Sequence, residues 1–440
     1  MLDSSRKGAL ARSRRCTGIS PPPLPTLGTV LPPVNDEPTE GLPHTVSTTD
    51  RPAPLRILIG CDTFLPDVNG AARFAERLAA GLVQRGDDVH VVAPSITHRR
   101  AGTFVETIEG ERMTVHRWAS WRWYPHDWLR FVPPWRVRAY ARKLLDSVRP
   151  DVIHIQSHIV IGRALAIEGA KRGIRIVATN HVMPENVLDF TLLPERAKRA
   201  FVRWGWRDAD RVLKHAAAIT TPTQRAADFL ERNTHRRNVR PVSCGLRASN
   251  YTPDLTERTA NKLVFVGRVT LEKEIDVILR AIPRIDPTLN VSLKIVGDGD
   301  QRKQLEKLAI ELGIASRVTF TGRVTDEELQ ASLTEASVFV IASVAELQSI
   351  ATMEAMASGL PIVAADAMAL PHLVHVGENG YLFQPGNDRE LAEQVERILT
   401  MPREEYQRMQ QASLDAVQVH DIDRTLDTFE ALYRGEPIAS

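Results

Sequence analysis

From Leu55 onward the sequence predicts an α/β fold: two successive Rossmann-like units, each a parallel sheet clad in helices, facing one another across a central cleft. Three observations carry this. Short apolar runs alternate with longer amphipathic stretches, as in "LRILIG", "AARFAERLAAGLVQRG" and "DVHVVAP". The alternation restarts near Asn261, after the joining segment "CGLRASNYTPDLTERTA" at 244–260. Strands connected through helices run parallel, and open parallel sheets bind ligands beyond the carboxyl ends of their strands.

In chain order, residues 1–54 are rich in Pro, Ser, Thr and Arg and lack apolar periodicity. Such a segment buries too little surface to offset its ordering entropy, so it reads as a disordered tail, or as residues ahead of the true start. No apolar run of signal-peptide type follows its arginines. Residues 55–245 form the first unit, with strands at "LRILIG", "DVHVVAP", "DVIHIQ", "IRIVATN" and "AAITTPT". Residues 255–405 form the second. There "KLVFVGR", "SLKIVGDG", "VTFTGRV", "SVFVIAS" and "PIVAAD" read as strands, and "EKEIDVILRAIPRI" and "QRKQLEKLAIELG" as helices. Residues 406–440 read as a helical segment that packs back across the seam between the units.

With 440 residues the chain is long enough for two or three substantial cores. A formal net charge of +2 gives no general case for nucleic-acid binding. Cys16, Cys61 and Cys244 are too few and too scattered for a disulfide framework or a metal cluster, and a cytoplasmic setting is expected. No apolar run reaches the ~20 residues of a membrane-spanning helix.

Several residues fall where ligand chemistry is expected. Arg268 follows a strand and Lys273 sits five residues later at a helix entrance. Two cations there suit a diphosphate, although pairing with Glu272 or Glu274 on the surface is an equally simple reading. Asn69 and Gly70 lie between the first strand and first helix, where glycine lets a phosphate approach backbone N–H groups; an ordinary turn would use the same letters. Asp62 ends that strand, on the cleft side. There is no GxGxxG. In "AELQSIATMEAMASGLPIV", Glu346 falls in a loop over the cleft and Glu354 inside the helix that Gly359 closes. The amides near Gln348 and Ser349 are unpaired helix N-terminal donors. One carboxylate can accept sugar hydroxyls, the other ribose hydroxyls, and the amides can face phosphate. "GDGD" at 297–300 supplies Asp-x-Asp but reads as a turn after a strand.

These residues resemble the E-x7-E signature of family 4 of the retaining, GT-B fold glycosyltransferases. "GRVTLEK", "VGDGDQRKQLEKLA", "VTFTGRVTDEEL" and "MASGLPIVAAD" follow that family's order, and the likeness runs from residue 55 to 435. The resemblance implies that Arg268 and Lys273 neutralise a nucleotide diphosphate, that Glu354 binds the ribose and that Glu346 lies beside the donor sugar. It places Asn69 and Gly70 near the diphosphate or sugar, and Arg323 and Val324 where the main chain meets the nucleobase. His181, in "VATNHVMPEN", is similar to the histidine near the reacting sugar; alone it reads as a histidine satisfied in a strand-end turn. One departure stands out: "ELQSIATME" replaces the commoner E-G-F-G run, so Gln348 and Ser349 occupy positions where glycine-type contacts are expected. The implied reaction transfers a hexose with retention, without a metal or other cofactor.

All seven tryptophans, from Trp118 to Trp206, lie in the first unit and are interleaved with arginine. That pairing suits an anionic membrane interface, and equally an aromatic core beside a solvated basic face. With the resemblance to lipid-directed members such as diacylglycerol glycosyl- and sulfoquinovosyltransferases, it implies a lipid acceptor and peripheral residence on the inner face of the cell membrane. Alternatives are a soluble acceptor such as inositol phosphate, a non-catalytic nucleotide-sugar-binding protein, and an epimerase of the same fold. Neither UDP versus GDP, nor glucose versus mannose, nor the oligomeric state can be read from the letters.

Overall fold

The structure, a computed structural model, describes residues 52–67, 69–97, 100–122, 130–184 and 194–438. Nearly all of the expected tail lies outside them. The first sheet is built from β1 (Arg56–Gly60), β2 (Asp88–Pro94), β3 (Gly102–Ile108), β4 (Glu111–Trp118), β7 (Val152–Ile155), β8 (Arg175–Thr179), β9 (Ala218–Thr221) and β10 (Arg240–Pro241). Its order is β10-β9-β8-β7-β1-β2-β4-β3, with β5 (Trp121–Arg122) and β6 (Arg130–Phe131) forming a separate two-stranded ribbon. Every pair in the sheet is parallel except β3 with β4. That antiparallel hairpin turns at Glu109 and Gly110, both at positive φ, the backbone a two-residue hairpin turn requires.

Helices α1 (Gly70–Gln84), α2 (Pro134–Val148), α3 (Ile161–Ala170), α4 (Glu195–Leu213) and α5 (Gln224–Asn233) connect these strands. The Asn69 side chain caps α1 by accepting from the Ala72 N–H at 2.9 Å. This supplies one of the partners that the first turn of a helix lacks.

The second sheet has β11 (Lys262–Val266), β12 (Ser292–Val296), β13 (Val318–Gly322), β14 (Val338–Ile341), β15 (Ile362–Ala365) and β16 (Gly380–Phe383). Its order, β13-β12-β11-β14-β15-β16, is wholly parallel and doubly wound, with the reversal between β11 and β14. Around it lie α6 (Ile275–Ala281), α7 (Arg302–Glu311), α8 (Asp326–Thr334), α9 (Ile350–Ala357) and α10 (Asp388–Leu399). Two glycines let the loops after β11 and β12 touch. A Cβ on Gly297 would sit 1.8 Å from the Gly267 carbonyl oxygen, and one on Gly299 would sit 2.2 Å from that of Val269.

The C-terminal segment is two helices, α11 (Arg403–Val417) and α12 (Ile422–Arg434), rather than one continuous run. The break falls at Gln418–His420, and the Asp421 side chain then caps α12 by accepting from the Asp423 N–H at 2.7 Å. Although it follows the second sheet in sequence, α12 packs against α1 and β8 of the first. Phe429 is fully buried between Phe74 and His154, and the Tyr433 hydroxyl meets His154 Nδ1 at 2.7 Å. Arg85, which caps the C-terminus of α1, binds Asp423, Asp427 and Glu430 along α12.

Candidate functional site

A cavity of about 940 Å³ opens where the loops after β11, β12, β13 and β14 face α1. It is lined by Asn69, Gly70, Arg268, Lys273, Arg323, Val324, Glu346, Gln348, Ser349 and Glu354, so these residues, drawn from four separate stretches of sequence, share one space. His181 is not among the lining residues. Its ring lies 5.0 Å from Phe74 on the inward side of α1, with Nε2 3.1 Å from the Gln156 side-chain oxygen. Burial lowers its pKa to about 4. Its ring is neutral near pH 7, partly exposed, with one nitrogen engaged by Gln156.

Asp62 does not line the cavity either. Its carboxylate accepts from the Ile161 N–H at 2.9 Å and from the Ser157 hydroxyl, which ties β1 to the start of α3.

The two cations at the second sheet each have an acidic neighbour. Arg268 donates to Glu272 Oε1 at 3.0 Å, which Thr270 also reaches at 2.7 Å, and Lys273 pairs with Glu346. The pairing of Arg268 with Glu272 is therefore present and is compatible with lining the cavity. The second oxygen of Glu272 is buried with no partner. Exchange of such a carboxylate for a ligand's phosphate oxygens is favoured by the charge-assisted bonds an anion forms with arginine and lysine.

Ser349 caps α9 by accepting from the Thr352 N–H at 3.3 Å. Gln348 is engaged elsewhere: its oxygen accepts from the Cys244 N–H at 2.7 Å and its amide donates to the Ser243 hydroxyl at 3.1 Å. The polar residue that replaces a glycine-type position thus pins the segment joining the two sheets.

Residues not singled out from sequence also line the cavity. Arg73, Arg77 and Tyr251 do. Asp298 and Asp300 of the "GDGD" turn, noted from sequence as Asp-x-Asp, line it as well. Arg73 contacts Asp326 at 3.2 Å, and Arg77 donates to Glu354 Oε1 at 2.8 Å, each bridging α1 to the second sheet's helices. The spacing of Arg73 and Arg77, one turn apart on α1, was the available signal. Nothing in the letters around Tyr251 marks it. Among the described residues no group of three or more His, Cys, Asp or Glu is placed to hold a metal ion.

The basic, tryptophan-rich text divides between core and surface. Trp118 and Trp206 are buried, at 8% and 3% exposure, and Arg117 is buried against Glu106. Arg138 is held by Glu168 at 2.8 Å. Trp123 and Trp128 lie outside the described residues. On the surface among the described residues are Trp135 at 75% exposure, Trp204 at 57% and Trp121 at 38%, together with Arg136, Arg142 and Lys143 of α2 and a stripe along α4. There Arg196, Arg199, Arg203, Arg207 and Arg211 recur every three or four residues, all exposed.

Residues 68–249 match the family model described as Glycosyltransferase Family 4, and residues 252–415 match that of Glycosyl transferases group 1. The alpha-monoglucosyldiacylglycerol synthase of Acholeplasma laidlawii is 24% identical over 352 residues, 76% of this chain and 86% of that protein. A GDP-mannose-dependent alpha-mannosyltransferase of Corynebacterium glutamicum is 28% identical over 343 residues, 75% of this chain and 76% of that one. Across the curated relatives the matched stretch spans from 35% to 88% of their own lengths. Among solved structures, the Anabaena protein HepE in complex with UDP and glucose superposes with a TM-score of 0.70 at 17% identity, covering 87% of this chain and all of that one.

Proposed function

Because the chain belongs to the glycosyltransferases, a family 4 domain followed by a group 1 domain in the GT-B fold, we propose that it moves a hexose from a nucleotide-sugar to an acceptor held by the first domain. The observation that carries this reading is the convergence of Arg268, Lys273, Glu346 and Glu354 on one cavity at the carboxyl ends of the second sheet. Breaking a sugar–phosphate bond develops negative charge on the leaving diphosphate. Arg268 and Lys273, fixed by the β11 loop, supply preorganised positive charge there. Glu354 receives the ribose hydroxyls, and Glu346, released from Lys273 when the diphosphate binds, lies beside the sugar. The loop carrying Arg323 and Val324 borders the nucleobase, and Asn69 and Gly70 approach the diphosphate or sugar. Displacement on one face with retention, the acceptor proton passing to the departing phosphate oxygen, requires no carboxylate nucleophile and no metal in this scheme.

The acceptor we propose is a membrane lipid. The α4 stripe supports this: five exposed arginines within one face carry no ion pair to an acid among the described residues, and Trp204 flanks them. Arginine attracts anionic headgroups while an exposed indole seats at headgroup depth. No helix among the described residues is long and apolar enough to cross a membrane, so attachment would be peripheral, on the cytoplasmic leaflet. The relation to the Acholeplasma lipid glycosyltransferase points the same way.

A screen of UDP- and GDP-sugars by thermal shift, followed by transfer assays on diacylglycerol in mixed vesicles, tests the reading. One nucleotide-sugar is expected to raise Tm, since a ligand bound only by the native state stabilises it. The same sugar should then appear on lipid. Donor stabilisation together with transfer only to a soluble alcohol such as inositol phosphate would replace the lipid. A donor isomerised without acceptor would make the protein an epimerase, and no stabilisation by any donor would overturn the enzyme reading.

A further inference from the structure

The Arg77–Glu354 contact joins two parts of the molecule that are 277 residues apart in sequence. Arg77 belongs to α1 of the first sheet and Glu354 to α9 of the second, and both line the cavity. Their side chains are 16% and 10% exposed. A carboxylate so far removed from water is costly unless a cation or several hydrogen-bond donors accompany it. Arg77 is the cation in ion-pair contact with it. Tyr251 stands against the same carboxylate: burial first, then the Glu354 charge, pushes its hydroxyl well above the ordinary value. Burial alone would lower the Arg77 pKa; the charge and hydrogen bond of Glu354, together with Tyr251 and Glu109, raise it overall. Arg77 is not saturated by the protein, since its Nη1 is buried with no hydrogen-bond partner.

Arginine presents its donors in a rigid planar fork, so one edge can orient a carboxylate while other donors remain for a ligand. Of the two Glu354 oxygens, Arg77 engages Oε1 through Nη2. A carboxylate accepts about four hydrogen bonds, so sites remain for a pair of vicinal ribose hydroxyls. We infer that Arg77 is a positioning residue of the nucleotide site, reaching from the first domain to hold the Glu354 carboxylate oriented for the ribose. The ribose contact, made by the second domain, is then complete only when α1 is seated against it. Nucleotide affinity reports domain closure, although Arg77 itself comes from the acceptor side. This rests on the reading of Glu354 as the ribose acceptor.

Titration calorimetry with UDP and GDP, using whichever binds the wild-type protein, tests it through a double-mutant cycle. Arg77→Met should weaken nucleotide binding by about tenfold, the scale of a hydrogen bond to a charged group. Arg77→Lys should recover much of the loss. In the Glu354→Gln background, Arg77→Met should cost nothing further, because its partner's charge is already gone. The 2′-deoxy form of the same nucleotide adds a readout that a merely structural role would not move: Arg77→Met should shrink the preference for the ribo form. If Arg77→Met fails to fold, Arg77→Gln keeps a donor without the charge and carries the same expectations. Unchanged or tighter binding by the Arg77 variants, with Glu354→Gln weakened, overturns the positioning role and leaves the ribose assignment standing. Unchanged binding by Glu354→Gln removes the ribose assignment, and the inference with it.

Discussion

Lys273 and Arg268 sit in the cavity already facing Glu346 and Glu272, so a bound diphosphate must win them from carboxylates. Replacing both with Ala should cut turnover about 100-fold or more, given the worth of preorganised charge at a leaving group. Tm should fall as well, because Lys273 and Glu346 are only 14% and 12% exposed and removing the cation leaves a carboxylate unpaired, so turnover is compared at a temperature where both proteins are folded. Turnover at the wild-type rate in the double variant would remove them from the mechanism. A second prediction concerns protons. Burial lowers His154 to about 3 and His181 to about 4, whereas an unfolded histidine titrates near 6.5. Between those values the unfolded chain binds more protons than the native one, so stability is full above pH 6.5 and falls as pH drops. Each such proton contributes up to about 1.4 kcal/mol per pH unit. Calorimetric Tm at pH 7.5 and 5.0 should show the decline, and His154→Asn should flatten it; equal slopes would refute the assignment. At this scale the letters named ten of the residues that line the cavity but not their partners. Asp62 was read as facing the cleft because it ends a strand, and His181 as lying near the reacting sugar through its resemblance; the partners that hold them, Ile161 and Gln156, lie 99 and 25 residues away. Pairings across such separations leave no local trace.

Helix α4 shows what periodicity reveals and what it hides. Its arginines recur at helical spacing, and the exposed stripe follows from that pattern. The tryptophans follow no such rule, since a ring at a helix or strand surface turns inward or outward according to what it meets. Trp206 meets Phe229 at 5.7 Å and is buried, while Trp204, two residues earlier, is not. Replacing Arg199, Arg203, Arg207 and Arg211 with Ser should reduce flotation with anionic vesicles and transfer to lipid while sparing nucleotide binding. Each basic residue near the surface contributes ~1 kcal/mol, and salt screens it. Wild-type protein that stays soluble beside anionic vesicles would refute the docking face. The β3–β4 hairpin was legible in principle, from Glu109-Gly110 between alternating runs, but a reading for βαβ units passes over an antiparallel excursion. The break between α11 and α12 was not, because "QVHD" contains neither Gly nor Pro.

Across the whole molecule, the two sheets and the cleft followed from the restart of the strand–helix alternation near Asn261, a signal long enough to outweigh local ambiguity. The return of the chain is the feature with the widest effect. α12 closes the first sheet's core through Phe429 and Tyr433, and near its end Arg434 donates to the Ala53 carbonyl at 2.9 Å. During synthesis the first domain therefore leaves the ribosome nearly two hundred residues before its last core helix does. It waits as an unfinished body with Phe74, Gly81 and His154 uncovered until the second domain has been made. A nascent chain of this design needs shelter over that interval, because exposed apolar surface promotes aggregation. Expression of residues 55–245 alone should yield aggregates, and adding residues 418–438 as a separate peptide should recover soluble, protease-resistant protein. A soluble, cooperatively melting 55–245 fragment would show instead that the domain matures before its final helix exists.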